Sequence, residues 1–259
     1  MTIPGASSRL TWVDHQETYG RHVIQTFLRR IPQIDLAVDV GCGYGNDLGI
    51  VKNTFPKAKL IGIDVGDWNQ ELLDTQGIHL QVCNIERDEL PIADGSADLI
   101  IANQVLEHVK EIFWINHQIA KKLKVGGYLI LGVPNITSLH NRLLLLFGVH
   151  PTQWKSYSAH VRPFSKADTL KFYDLCYPDG YKLLEFRGSQ FYPFGRSLAR
   201  ILSNLAPTLS FSIFFLFQKQ REYTGEILLH PMKARLETNY FLGTVTSGRD
   251  VACNVFPGE

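Results

Sequence analysis

Residues 36–47 read Leu36-Ala37-Val38-Asp39-Val40-Gly41-Cys42-Gly43-Tyr44-Gly45-Asn46-Asp47. A short run, apolar but for Asp39, makes a buried strand, and three glycines at alternate positions follow before a helical pattern begins. Such a turn lets the backbone approach a ligand closely and swing into the helix. Glycines alone do not choose among the cofactor folds that share this device, and their bland reading is a structural turn. Spacing does more. The third glycine is Gly45, whereas the dinucleotide pattern GxGxxG calls for glycine where Asn46 stands. Asp39 lies near the strand end, where a carboxylate repels a pyrophosphate but suits a ligand carrying an ammonium group. Asp64 closes a second strand, 19 residues after Gly45, in the place of an acceptor for ribose hydroxyls. A ligand with a ribose, a positive end and no phosphate is S-adenosylmethionine.

Working outward, apolar strands alternate with helical segments. Residues 14–30 read as a helix with Val23, Phe27 and Ile24, Leu28 on neighbouring ridges. Strands are expected at 36–40, 59–64, 78–83, 97–103 and 128–133. Helices are expected from 47, at 70–74, and at 107–123 with a stop at Gly126-Gly127. Continuous apolar strands alternating with helices argue for a parallel sheet covered on both faces. After Pro134 the rhythm changes: 138–147 is a helix, and a loop rich in Tyr, His, Pro and Trp follows. Ser165 begins another helix, with Asp168 in capping-box spacing, before two late strands at 181–187 and 210–218. Residues 1–219 thus read as one domain with a cap at about 138–180, and 220–259 as an extension without clear pattern.

Together these motifs resemble those of the class I S-adenosylmethionine-dependent methyltransferases. Residues 39–45 resemble the family's first motif and 61–64 its second. Asn84-Ile85 resembles the adenine-contact position, with Asn84 where the family often has Asp. DGSADLIIANQVLEH at 94–108 resembles the fourth-strand motif, and LKVGGYLILGVP at 123–134 the fifth-strand region. The resemblance implies a Rossmann-like, doubly wound α/β sheet of seven strands, the last antiparallel, with helices on both faces and a small cap after strand 5. It implies that Asp39, Gly41, Cys42 and Gly43 face the methionine moiety, Asp64 the ribose and Val65 the adenine. Asn103 and Gln104 would lie beneath the sulfonium. Within the class, LEHV and the HxR stretch at 160–162 look most like the branch that methylates small metabolites, sugars and lipids.

Composition bounds the rest. The 259 residues are 45% hydrophobic and 20% charged, enough for a sizeable core and against disorder. A formal net charge of +1 gives no global case for nucleic acid. Cys42, Cys83, Cys176 and Cys253 show no CxxC spacing and read as reduced thiols of a cytoplasmic protein; Cys42 reads as a small residue filling the turn. No secretory signal is visible, the apolar stretch 198–217 is broken by Arg200, Asn204 and Pro207, and no spacing suggests a metal site. On the acceptor side His160 is the first candidate for a base and His108 the second, each weighed against a structural histidine. Arg162 is either an orienter of an anionic acceptor or a structural bridge, and Trp154 and Tyr157 either wall an acceptor pocket or pack a lid, as do Trp12, Tyr19, Phe191 and Tyr192. Residues 143–147 and 211–217 read as a buried helix face and a central strand, the sharper alternative being a greasy channel or peripheral membrane contact. The reading is a methyltransferase for a small-molecule acceptor, directed at oxygen, in secondary-metabolite, glycan or lipid biosynthesis. Its rivals are a peptide or protein methyltransferase, disfavoured because the fourth strand ends in Asn103-Gln104-Val105-Leu106 and not in an NPPY-type tetrad, and a non-catalytic scaffold, disfavoured by the intact glycine turn and Asp64.

Overall fold

The computed structural model describes residues 17, 19–237 and 240–243. Trp12, Cys253 and the first residues of the helix expected at 14–30 lie outside the described residues. Chain order is α1 (Arg21–Leu28), β1 (Leu36–Val40), α2 (Asn46–Thr54), β2 (Lys59–Asp64), α3 (Gln70–Thr75), β3 (His79–Val82), β4 (Ala97–Asn103) and α4 (Ile112–Lys122). Then follow β5 (Leu123–Pro134), α5 (Leu139–Leu146), α6 (Lys166–Cys176), β6 (Tyr181–Ser189), α7 (Arg196–Leu205), β7 (Ser212–Lys219) and α8 (Glu226–Lys233).

The seven strands form one sheet in the order β3-β2-β1-β4-β5-β7-β6, in which β7 runs antiparallel to both of its neighbours. Alternation along the central strands sends side chains to two cores. Val38, Ile100, Leu129, Leu131, Phe215 and Phe217 join Ile115, Ile119 and Tyr173 on one face. Ala37, Leu99, Ile101, Ile130, Phe214 and Leu216 join Ile24, Phe27, Leu48 and Val51 on the other. Each fully buried large apolar side chain contributes about 1.5–3 kcal/mol, so both layers are needed to hold the sheet. The strand order reverses between β1 and β4, and that switch point opens the crevice where open α/β sheets bind ligands.

Several elements depart from the sequence expectation. Helix α4 starts at Ile112, because residues 104–111 form a turn in which Gln104 is left-handed with φ 58° and the Glu107 carbonyl is taken by the Val161 amide at 2.8 Å. It ends at Lys122, and Gly126-Gly127 lies inside β5, where the pairing with β4 is irregular. Helix α6 is part of the core and not of a cap: Tyr173 is buried and its hydroxyl donates to Asn116 of α4 at 2.7 Å. Its Ser165 cap accepts from the Asp168 amide at 3.2 Å, as the capping spacing predicts. Residues 212–217 are a buried strand, but the other apolar run is not a buried face: Leu146 is 76% and Phe147 78% exposed. Only Asn141 of α5 is buried, so the helix rides above the end of β5 without a covering element among the described residues. Among the described residues no helix is long and apolar enough to cross a membrane.

Candidate active site

The glycine turn sits where β1 meets α2. The Gly41 and Cys42 amides donate to the Ile63 carbonyl of β2 at 2.8 and 3.0 Å, which closes the turn onto the neighbouring strand. Asp64 accepts from the Gly43 amide at 2.9 Å and the Val65 amide at 2.8 Å, and Asn69 donates to the Gly43 carbonyl at 3.1 Å. The last two glycines answer different demands. A Cβ at Gly45 would stand 2.6 Å from Leu73 and from Ile78, so this position makes room for the fold. A Cβ at Gly43, with φ 50°, would meet nothing within 4 Å, so this position faces the open cleft. Cys42 is buried against Gly62, and its thiol is pushed up to about 12 by burial and by Asp39 and Asp64, which makes it a filler and not a nucleophile.

Three carboxylates gather at this turn. Burial, then Asp47 and Asp64, push the Asp39 carboxyl well above the ordinary range, with Arg21 opposing them. Asp47 accepts from Arg21 at 3.3 Å and from the Asn103 amide nitrogen at 2.8 Å, and Asn103 also donates to the Tyr19 carbonyl at 3.0 Å. The crevice is therefore suited to a cation, since a positive ligand relieves the repulsion that Asp47 and Asp64 exert on Asp39. Gln104 donates its backbone amide to the Gly132 carbonyl at 2.8 Å, and its side-chain nitrogen is buried with no hydrogen-bond partner among the described residues. On the far side, Val65 is 61% and Trp68 71% exposed. Asn84 is exposed beside half-buried Ile85, its side-chain oxygen accepting from the Glu86 amide at 3.1 Å and keeping a second lone pair. A carboxylate at a strand end, an open glycine and an acid-lined pocket fit S-adenosylmethionine.

Just beyond Asn103 a second group assembles. Glu107 is 1% exposed, and burial lifts its carboxyl to about 8. Its carbonyl accepts from the Val161 and Arg162 amides at 2.8 and 3.2 Å, which draws the segment after α5 onto the end of β4. That contact brings His160 edge-on to His108, ring centroids 4.6 Å apart, with Trp154 5.8 Å from His160. Burial, then His108, lower the His160 pKa from its ordinary value, which favours the uncharged imidazole. The His108 Nδ1 lies 3.2 Å from the Ala159 carbonyl.

Comparison with known proteins agrees with this geometry. Residues 38–131 match the family model described as a methyltransferase domain. The chain carries a class I S-adenosylmethionine-dependent methyltransferase domain. It is 27% identical over 167 residues to the trans-aconitate 2-methyltransferase of Variovorax paradoxus, covering 60% of this chain and 61% of that protein. It is 26% identical to the ubiquinone biosynthesis O-methyltransferase of Burkholderia vietnamiensis, covering 76% of this chain and 79% of that one. A solved Burkholderia thailandensis 1,6-didemethyltoxoflavin-N1-methyltransferase, bound to its substrate and S-adenosylhomocysteine, shares the fold with a TM-score of 0.55 at 12% identity, over 82% of each chain. The chain spans 61% of the Variovorax protein's length and 31% of another curated relative, an uncharacterised protein from a Streptomyces fradiae transposon.

In this methyltransferase domain the expected cofactor residues Asp39, Gly41, Cys42, Gly43, Asp64, Val65, Asn84, Ile85, Asn103 and Gln104 lie at the C-terminal ends of β1, β2, β3 and β4 or in the turns that follow them. On the acceptor side the fold joins His108, His160 and Trp154 but separates Tyr157 and Arg162. Tyr157 is 84% exposed, so it does not wall a pocket. Arg162 donates to the Val109 carbonyl at 3.2 Å and to the Lys110 carbonyl, so its guanidinium ties the segment after α5 to the loop before α4. Sequence reasoning missed Asp47, Trp68 and Glu107. Asp47 had a signal, an acid in the first helical turn after the glycines; Glu107 had none, because its burial depends on a segment more than fifty residues away.

Proposed function

We propose that this protein transfers the methyl group of S-adenosylmethionine to an oxygen of a small-molecule acceptor. The observation that carries the reading is the group of Glu107, His108, His160 and Trp154 drawn together at the end of β4, next to the cofactor residues Asn103 and Gln104. S-adenosylmethionine supplies a methyl carbon on a sulfonium, a leaving group that needs no further activation. The chain's task is alignment in a site screened from water, which contributes on the order of 7–11 kcal/mol. A proton acceptor adds roughly 10²–10⁴-fold when the nucleophile is a protonated hydroxyl. Neutral His160, reached from the cap, is suited to that task, and Glu107 is the carboxyl nearest to it in the group.

The names of the Variovorax and Burkholderia vietnamiensis relatives support a small acceptor, and the second supports oxygen as the target. A net charge of +1 disfavours nucleic acid. Free, buried Cys42, Cys83 and Cys176 are in keeping with work in the cytoplasm, and the exposed apolar residues of α5 are in keeping with an acceptor of lipid or secondary-metabolite type. The test is a methyl-transfer screen with labelled cofactor over metabolite fractions, peptides and RNA. We expect labelled product among the metabolites. Transfer to peptides or RNA alone overturns the reading, and tight cofactor binding without transfer to any fraction makes the domain a scaffold.

A further inference from the structure

Glu107 Oε2 is buried and meets no hydrogen-bond partner among the described residues. A carboxylate out of water without a donor is costly until a counter-charge reaches it. Arg162, the guanidinium the cap brings to this loop, is turned to the carbonyls of Val109 and Lys110. Two imidazoles occupy the place beside Glu107. The contact of His108 Nδ1 with the Ala159 carbonyl at 3.2 Å puts the ring proton on Nδ1. The lone pair is then on Nε2, which lies 3.9 Å from Glu107 Oε1. A ring anchored through one nitrogen on a backbone carbonyl presents the other as a metal ligand. His160 has its Nδ1 buried without a partner among the described residues. One ligand atom from each of the three side chains lies within 4.8 Å of the others.

We propose that Glu107, His108 and His160 form a binding site for a divalent transition-metal ion. Metal bonds to imidazole nitrogen and carboxylate oxygen are about 2.0–2.2 Å long, so ligand atoms on one ion stand about 3–3.5 Å apart. The three side chains need to draw in by about 1 Å, which the exposed ring of His108 and the loop that carries His160 allow. Two nitrogens and one carboxylate suit zinc, manganese or iron better than magnesium or calcium. Three protein ligands leave coordination positions open. The function of the site rests on the acceptor reading above: an ion there holds the acceptor oxygen and lowers its pKa, so the group acts on that proton through the ion.

The test is a titration of the chelator-treated full chain with zinc chloride or manganese chloride, followed by calorimetry and, for manganese, by electron paramagnetic resonance. We expect one ion per chain for at least one of the two salts, and weaker binding of magnesium chloride. Glu107→Gln, His108→Ala and His160→Ala should each weaken binding at least tenfold while leaving S-adenosylmethionine affinity unchanged, which also reports that the variants fold. His108 is exposed, so its variant is the one least able to disturb the core. No saturable binding of either salt, or equal binding by all three variants, overturns the site. The titration needs no acceptor, so its failure leaves the proposed reaction standing, and a failed acceptor screen leaves the metal site standing.

Discussion

Gly43 and Gly45 are two residues apart, yet replacing them should damage different things. At Gly45 a methyl meets Leu73 and Ile78 at 2.6 Å, backed by φ 73°. Gly45→Ala should lower the thermal midpoint of the protein, because the clash lies in the packing of α3 and the residues before β3. At Gly43 no atom of the described residues lies within 4 Å of the added carbon. Gly43→Val should leave a folded protein that no longer binds S-adenosylmethionine, since the branched side chain fills the cleft and resists φ 50°. Normal cofactor binding by this variant would mean that the turn does not approach the ligand. Asp64→Ala removes the charged acceptor proposed for the ribose, worth about 1.5–3 kcal/mol, or roughly ten- to a hundredfold in dissociation constant. Asp64→Asn keeps an oxygen for the Gly43 amide, so a smaller loss there separates support of the turn from contact with the ligand. An unchanged affinity for Asp64→Ala by calorimetry sinks the ribose assignment. These residues were legible because a strand end and a glycine turn are local features. Glu107 was not, since LEH reads equally well as the start of a helix.

At the scale of elements, one carboxylate joins the starts of three strands. Asp98 of β4 accepts from the Asp35 and Leu36 amides at 2.9 and 2.8 Å, where β1 begins, and from Lys124 of β5 at 2.6 Å. Burial acts to raise its pKa, but Lys124 and the two amides outweigh it and hold the carboxyl below its ordinary value. A carboxylate depressed in the folded state contributes stability that is present above the unfolded pKa of about 3.9 and is lost as pH falls through the folded value. Asp98→Asn should therefore cost about 1–3 kcal/mol at pH 7. In urea denaturation the gap between parent and variant should narrow below about pH 4; a gap that stays constant would mean the ion pair is not the source. Of these strands β1 and β4 were read from sequence to the residue, because apolar runs bounded by turns are local features, whereas β5 begins five residues before the expected 128. Helices fared worse. The turn at 104–111 carries apolar residues at helical spacing, and α8 contains Pro231, which argues against a helix although Ile227 is fully buried.

Taken as a whole, the molecule separates its two tasks along the chain. The residues proposed for the cofactor come from the first four strand ends, between Asp39 and Gln104, whereas His160 arrives from the segment between α5 and α6. The joint is the Glu107 carbonyl, held by the Val161 and Arg162 amides at 2.8 and 3.2 Å. The break in rhythm after Pro134 marks this segment in the sequence, but its partner Glu107 was not legible, because the contact is long-range. Changes on the two sides should have separable effects. His160→Ala removes an imidazole but leaves the backbone amides of its neighbours on Glu107, so the cap should stay docked. Turnover of an acceptor with a protonated hydroxyl should then fall by roughly 10²–10⁴-fold, with S-adenosylmethionine affinity unchanged. An acceptor that is already ionised needs no proton removed, and with it the same variant should lose little. Comparing the two acceptor types isolates proton removal from positioning, since a misplaced cap would slow both. If calorimetry finds that His160→Ala also loses the cofactor, His160 belongs to the scaffold of the site, and the acceptor oxygen must be sought against another side chain at the end of β4.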